Sequence, residues 1–328
     1  MGSLNATAPL DAAVALPGST SLRGNPTVGP ATRPDASGTK TVLGFSPDMS
    51  KNFGGCFDIK ERLGVGTTGA VCHIVEKKTG KSFAVKVIKR SSLPKIHHKR
   101  ILLEASIMKK VSYLDHVVTL HGLLADQNSF YLVQDLGRGG DLCSHLMRHR
   151  RAYSEERAKA IAIKLFTTMR ELHQRNIIHR DIKLDNIVLS DPQDDTSVLL
   201  ADFGLAAILP RRGYATRKCG SPLYCAPEVM GSRPYGNAVD MWSIGIVLFM
   251  LLSLRRPFVA SSVSELYQKI SDGAQVKFEG SPWDTVSKEA KECIRGLLTA
   301  DPHERWTAEQ ALRSPWIVGA ARVESQAR

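Results

Sequence analysis

His179-Arg180-Asp181-Ile182-Lys183-Leu184-Asp185-Asn186 lies between a stretch with helical patterning, Glu155 to Gln174, and a short apolar stretch, Ile187-Val188-Leu189. The segment therefore reads as an ordered loop joining a helix to a strand. Asp181 is able to accept a proton from a hydroxyl. Lys183 can neutralise a moving phosphoryl group, and Asn186 can offer its amide oxygen to a divalent metal. Phosphoryl transfer needs these three jobs done side by side, because its catalysis is mainly positioning and charge neutralisation. The plainer reading is a polar turn whose Asp and Asn cap neighbouring helices. Five specified letters at fixed spacing recur by chance about once in three million positions, which weighs against the plainer reading.

The chain of 328 residues is long enough for one large domain or two lobes with a sizeable core. At 43% hydrophobic and 23% charged residues it has an ordinary globular composition. Six cysteines (Cys56, Cys72, Cys143, Cys219, Cys225 and Cys293) form no C-x-x-C pair, so neither a zinc site nor a disulfide framework is suggested. That usage fits a reducing compartment. The net charge of +12 suits acidic or phosphorylated partners and nucleic acid alike, although a solvated basic surface is the commoner cause. The longest apolar run, Met241 to Leu254, would be roughly 21 Å long as a helix against about 30 Å of hydrocarbon, so a buried core helix is expected rather than a membrane span.

Residues 1–52 are rich in Ala, Ser, Thr, Gly and Pro and lack sustained periodicity, the composition of a disordered tail. Met1-Gly2 invites comparison with an N-myristoylation signal, but Ala6 stands where Ser or Thr is wanted. An organelle transit peptide is the alternative, with only Arg23, Arg33 and Lys40 as basic residues in the first fifty and no clear amphipathic face. The expectation is a cytoplasmic protein, with the nucleus or an organelle as alternatives.

Ordered structure is expected from about Phe57. Strand-like runs, Phe57 to Leu63 and Ala70 to Val75, flank Gly64-Val65-Gly66-Thr67-Thr68-Gly69-Ala70-Val71. Glycines let a backbone approach phosphate oxygens and aim amide hydrogens at them. A lone G-x-G-x-x-G is weak and a hairpin turn is as common; strand on both sides argues against a dinucleotide site, which wants a helix after the glycines. A third strand, Ser82 to Ile88, carries Ala84-Val85-Lys86. A helix is expected from about Lys95 to Val111, and its Glu104 is the acid best placed to pair with Lys86, a surface i,i+4 partner being the plainer role. Tyr131 to Leu136 reads as a strand entering the connector Gly137-Arg138-Gly139-Gly140, after which Asp141 and Leu142 begin a helix.

Beyond the opening loop, the strand Val198 to Ala201 precedes Asp202-Phe203-Gly204, where Asp202 is a candidate metal ligand; three letters alone would be a common turn. Ser190 to Thr196 is read as a longer surface turn. A basic segment with Arg211, Arg212, Arg217 and Lys218 leads into Cys219-Gly220-Ser221-Pro222-Leu223-Tyr224-Cys225-Ala226-Pro227-Glu228. Further on come Asp240-Met241-Trp242-Ser243-Ile244-Gly245 and Asp301-Pro302-His303-Glu304-Arg305-Trp306.

Taken in order, these segments resemble the eukaryotic protein kinases from roughly Phe57 to Trp316. Lys183 and the Gly220-Ser221-Pro222 run resemble the Ser/Thr branch, and Tyr131 to Leu142 with Asp301 to Trp316 are most similar to the calcium/calmodulin-dependent group, including plant calcium-dependent kinases and phosphoenolpyruvate carboxylase kinase. The resemblance implies an α+β, bilobal kinase fold: a β-rich lobe over about 57–136, a mainly helical lobe over about 137–316, a kinase domain bounded at 53–316 and a short tail, 317–328. It implies ATP and Mg²⁺ as cofactors, with Asp181, Lys183, Asn186 and Lys86 catalytic and Asn186 and Asp202 holding metal. The nucleotide would be covered by Gly64, Val65, Gly66, Gly69 and Val71. Ala84 and Lys86, with Glu104, would lie behind it, Asp135, Gly137 and Asp141 along the connector, and Val188 and Asp202 below. Glu228 with Arg305, and Asp240 beneath the catalytic loop, would be structural. Three positions depart from the pattern: Thr68 at the flap tip, Gln134 at the gatekeeper position, and Arg217 where a phosphorylatable Thr is common.

The reading is a Ser/Thr protein kinase acting on protein substrates as a monomer, with no membrane span and no specific nucleic acid. Asp141 and Asp185 imply a preference for Arg about three residues before the acceptor. Twelve residues after Trp316, and no Asp-x-Asp-x-Asp-Gly loop, predict activity without calcium. Two alternatives are weighed. A pseudokinase scaffold usually lacks Lys86, Asp181 or Asp202, and all three are present. A basic nucleic-acid binder is suggested by Arg148-His149-Arg150-Arg151 but lacks interleaved aromatics. For activation, Arg217 facing Arg180 leaves two outcomes, a displaced phosphosite at Thr216 or a loop ordered without phosphate. The second is preferred, with Thr216→Ala keeping most activity.

Overall fold

A computed structural model describes residues 53–65, 69–92, 98–210 and 213–319. Residues 1–52 and 320–328 lie outside it, as do Gly66 and Thr68 of the flap, Arg211 and Arg212, and the start of the helix expected from Lys95.

After a short helix α1 (Phe53–Cys56) come β1 (Phe57–Val65), β2 (Ala70–Glu76) and β3 (Ser82–Lys89), then helix α2 (His98–Val111), β4 (Leu120–Ala125) and β5 (Ser129–Gln134). The five strands form one antiparallel sheet in the order β1-β2-β3-β5-β4. Its outer face is closed by a small aromatic cluster in which Phe53 stacks on Tyr131 at 4.2 Å and on Phe57 at 5.4 Å. Helix α1 thus lies four residues before the expected Phe57, and its Phe53 covers an apolar face of the sheet. The other face packs on α2, which buries Ile101, Ala105, Ile107 and Met108.

Strand β5 stops at Gln134, short of the expected Leu136. The cause is Asp135: its N–H donates to the Thr119 carbonyl while its carboxylate accepts from Thr119 N–H (2.8 Å) and from His121 Nε2 (2.6 Å). That closed ring of bonds turns the chain out of the ladder and into the connector. In the connector, a Cβ at Gly137 would come within 2.7 Å of Val188 Cβ, so only glycine lets it lie against the Ile187–Leu189 strand.

The second lobe contains β6 (Gly140–Asp141), α3 (Leu142–His149), α4 (Glu155–Gln174), β7 (Ile177–Ile178), β8 (Ile187–Leu189), β9 (Val198–Leu200) and β10 (Ala207–Ile208). Then follow α5 (Pro227–Met230), α6 (Ala238–Ser253), α7 (Val263–Ser271), α8 (Lys288–Leu297), α9 (Ala308–Leu312) and α10 (Pro315–Val318). Sixteen-residue α6 is buried from Val239 to Ser253 and forms the axis of this lobe. At about 24 Å it is a core helix, and among the described residues no helix is long and apolar enough to cross a membrane. Glu155, at the start of α4, ties the far side together by accepting from Ser287 N–H (2.7 Å), Ser287 Oγ (2.6 Å) and Trp316 Nε1 (3.0 Å).

The flap is anchored by Gly69. A Cβ there would lie 2.1 Å from the Val87 carbonyl oxygen, so β2 can reach β3 at this point only without a side chain. Gly69→Ala should cost about 1–3 kcal/mol through forced strand separation. Chemical denaturation checks it, and a variant as stable as the parent would contradict the stated clash.

Candidate functional site

The site is assembled from both lobes around two charged clusters. In the first, Lys86 on β3 is buried, and its Nζ donates to Glu104 Oε1 of α2 (2.8 Å) and to Asp202 Oδ1 (2.6 Å). The pairing brings α2 and the Asp202 turn against the sheet. Burial alone would depress the Lys86 ammonium, but the two carboxylates outweigh it and hold the lysine charged. Burial would raise Asp202 too; the Lys86 charge and hydrogen bond, with the Gly204 N–H, bring it below the usual carboxylate range. Glu104 is moved the other way, upward, because burial and repulsion from Asp202 exceed the help from Lys86. Asp202 itself has φ +60, in the left-handed region, and is held there by its bonds to Lys86 and Gly204.

The second cluster sits on the loop between β7 and β8. Asp181 is buried, with Oδ1 accepting from Ser221 N–H (3.0 Å) and Ser221 Oγ (2.8 Å). Asn186 Nδ2 donates to Asp181 Oδ2 (2.9 Å) and to its carbonyl (2.8 Å). Lys183 Nζ donates to Ser221 Oγ (3.1 Å) and lies 3.6 Å from Asp181 Oδ2. A carboxylate, an ammonium and a hydroxyl thus meet at one point. An incoming hydroxyl at the place of Ser221 Oγ would be within reach of both Asp181 and Lys183.

The loop is fixed from below. Asp240, fully buried at the first turn of α6, accepts from His179 N–H (2.9 Å), Arg180 N–H (2.8 Å) and His173 Nε2 (3.0 Å). Burial would raise its pKa, but the His173 bond and charge and the backbone donors bring it below the ordinary value of 3.8. A carboxyl depressed in the folded state contributes stability that is present above its unfolded pKa and lost as pH falls through the folded one. Asp240→Ala would also strand two buried N–H groups and should cost about 3 kcal/mol. Denaturation at neutral pH and near pH 3 checks this: the gap between parent and variant should shrink in acid. Farther out, Arg305 forms a two-pronged buried pair with Glu228 (2.7 and 3.0 Å), joining the start of α5 to the segment before α9.

A cavity of about 410 Å³ runs between the clusters. From the flap it is lined by Gly64, Val65 and Val71, from β3 by Ala84 and Lys86, and from the connector by Gln134, Asp135, Gly137 and Asp141. Lys183, Asp185, Asn186, Val188 and Asp202 line the opposite side. Gly69 shapes the flap and Glu104 reaches the cavity through Lys86; Gly66 lies outside the described residues. The oxygen donors here, the Asn186 amide oxygen and the Asp202 carboxylate, suit a hard divalent cation shared with phosphate oxygens. Among the described residues no three His, Cys, Asp or Glu side chains gather as a self-sufficient metal cage.

Three participants were not evident from the sequence. Ser221 is a direct partner of Asp181 and Lys183, a contact that its place in the Gly220-Ser221-Pro222 run does not signal. His121 steadies Asp135 from the neighbouring strand, and no spacing signals that. His173 supports Asp240 from the last turn of α4, where it resembles any surface histidine.

Residues 57–317 match the family described as Protein kinase domain. The chain is 36% identical over 285 residues to calcium/calmodulin-dependent protein kinase type II alpha chain of Drosophila melanogaster, spanning 85% of this chain and 52% of that protein. It is 36% identical to myosin light chain kinase A of Dictyostelium discoideum, covering 80% of this chain and 88% of that one. It is also 36% identical to calcium/calmodulin-dependent protein kinase type II of Caenorhabditis elegans, over 85% of this chain and 38% of the relative.

Proposed function

This chain belongs to the protein kinase family and is a Ser/Thr kinase using ATP and a divalent metal, and from that premise we propose that it is a Mg²⁺-dependent, calcium-independent enzyme with a preference for basic substrates. The observation that carries the proposal is the convergence of Asp181, Lys183 and Ser221 across the cavity from Lys86, Glu104 and Asp202. Asp181 orients the acceptor hydroxyl and takes its proton. Lys183 meets the charge that develops on the moving phosphoryl. Lys86, fixed by Glu104, steadies the phosphates behind it. Asn186 and Asp202 would hold Mg²⁺, which supplies positive charge to the β- and γ-phosphate oxygens.

Support for calcium independence is that both clusters come together within one chain, with α2 already docked through Lys86 and Glu104. The same arrangement supports a monomeric working form.

Preference for a basic residue before the acceptor rests on Asp141 and Asp185, which share the mouth of the cavity. Asp141 caps α3 by accepting from Ser144 N–H and Oγ, and each of its oxygens has a lone pair to spare. The Asp185 carboxyl is pushed up by the protein packed around it, then by Asp141, with Lys183 opposing. A carboxylate whose charge is disfavoured in this way gains from a guanidinium placed beside it. A positional peptide library should therefore select Arg about three residues before Ser or Thr, and Asp185→Asn should weaken that selection about tenfold. Selection of proline-directed or acidic peptides would refute this specificity.

A further inference from the structure

Residues 205–221 run from the Asp202 turn to Ser221, and two linked side chains, Arg180 and Tyr235, fasten the two ends of that stretch. Tyr235, just before α6, is buried, and its backbone pairs antiparallel with Ala215 through N–H to carbonyl bonds of 2.8 and 2.9 Å. Its phenol donates to the Arg217 carbonyl, accepts from Arg180 Nη1 (3.2 Å) and lies 3.7 Å from Cys219 Sγ. Arg180 Nε in turn donates to the Leu205 carbonyl (2.6 Å). A continuous chain of bonds thus links Leu205, Arg180, Tyr235 and Arg217, and its far end is four residues from Ser221.

The charges in this region disfavour themselves. Arg100 of α2 is held below its ordinary pKa by burial and then by the nearby charges of Arg217 and Arg180. Among the described residues none of these three arginines has a carboxylate within ion-pair distance. Thr216, next to Arg217 in the chain, is exposed and makes no hydrogen bond to them.

We propose that Tyr235 is the positioning residue that orders the substrate-docking segment of this kinase without phosphorylation, its neutral phenol bridging Arg180 to the Arg217 carbonyl. This rests on the kinase reading above. A neutral group suits the place, because it satisfies Arg180 and still donates to a carbonyl, which a phosphate could not do. Burial pushes the phenol pKa up to about 12, so it keeps its donor proton at working pH.

The test uses the full chain. Wild type should stay fully active after exhaustive phosphatase treatment, and Thr216→Ala should keep most activity. Tyr235→Phe, which keeps the ring and removes only the hydroxyl, should lose about tenfold in kcat/KM for peptide, with ATP affinity unchanged. It should also become more sensitive to limited proteolysis between residues 205 and 218. Loss of activity on phosphatase treatment or in Thr216→Ala would overturn the inference, as would a fully active, protease-resistant Tyr235→Phe. Should Tyr235→Phe fail to fold, the phosphatase and Thr216→Ala results decide alone. An inactive wild type whose segment is still loosened by Tyr235→Phe would sink the enzyme reading and leave the role of Tyr235 standing.

Discussion

Asp181→Asn is expected to lower peptide phosphorylation by roughly 10² to 10⁴-fold while ATP still binds. The two oxygens of Asp181 are both acceptors here, one facing Ser221 and the other facing the Asn186 amide and Lys183. An asparagine must place an NH₂ group on one of those sides, against an N–H or NH₂ donor already there. The substitution therefore removes the proton acceptor and also disturbs the line along which the hydroxyl approaches. None of the bonds that close the nucleotide side, from Lys86 to Glu104 and Asp202, involves Asp181. Turnover should collapse with little change in nucleotide affinity, which steady-state kinetics beside equilibrium ATP binding will separate. Equal loss of both would show that Asp181 holds the cleft together rather than serving the acceptor.

Asp202→Ala should erase the part of ATP affinity that depends on divalent metal. In the parent, Mg²⁺ should tighten ATP binding, and in the variant affinity should be the same with Mg²⁺ or with a chelator. Asn186 alone offers one neutral oxygen, too little for a cation that prefers carboxylate and phosphate oxygens. Because Lys86 and Gly204 hold the Asp202 carboxyl below its ordinary pKa, the charged form persists as pH falls. Metal-enhanced binding that persists in Asp202→Ala would mean the cation is held elsewhere.

How far these features could be read from the chain differs from element to element. Helix α4 has the expected bounds, Glu155 to Gln174, because Ser154 caps its start, Glu155 and Glu156 fill its first turn and its apolar face repeats. The burial of α6 follows equally from an uninterrupted apolar run. The Lys86–Glu104 and Glu228–Arg305 pairs were legible only through resemblance, since no local pattern joins β3 to α2 or α5 to the segment before α9. Strands such as β7 and β10, of two residues each, are too short for a period to show. Contacts made by single polar side chains across long separations, His121 to Asp135 and Tyr235 to Arg180, left no trace in spacing. Their geometry comes from tertiary packing, and each of these residues alone has a plainer reading as a strand or loop residue.

The most direct measurement is transfer of labelled phosphate from ATP to a panel of Ser and Thr peptides with Arg three residues before the acceptor, in Mg²⁺ with a calcium chelator present. Asp202→Ala serves as the control. Incorporation on Ser or Thr by the parent chain, absent from Asp202→Ala and unaffected by chelating calcium, is the predicted result. Incorporation no greater than that of Asp202→Ala, or dependent on added calcium, would contradict it.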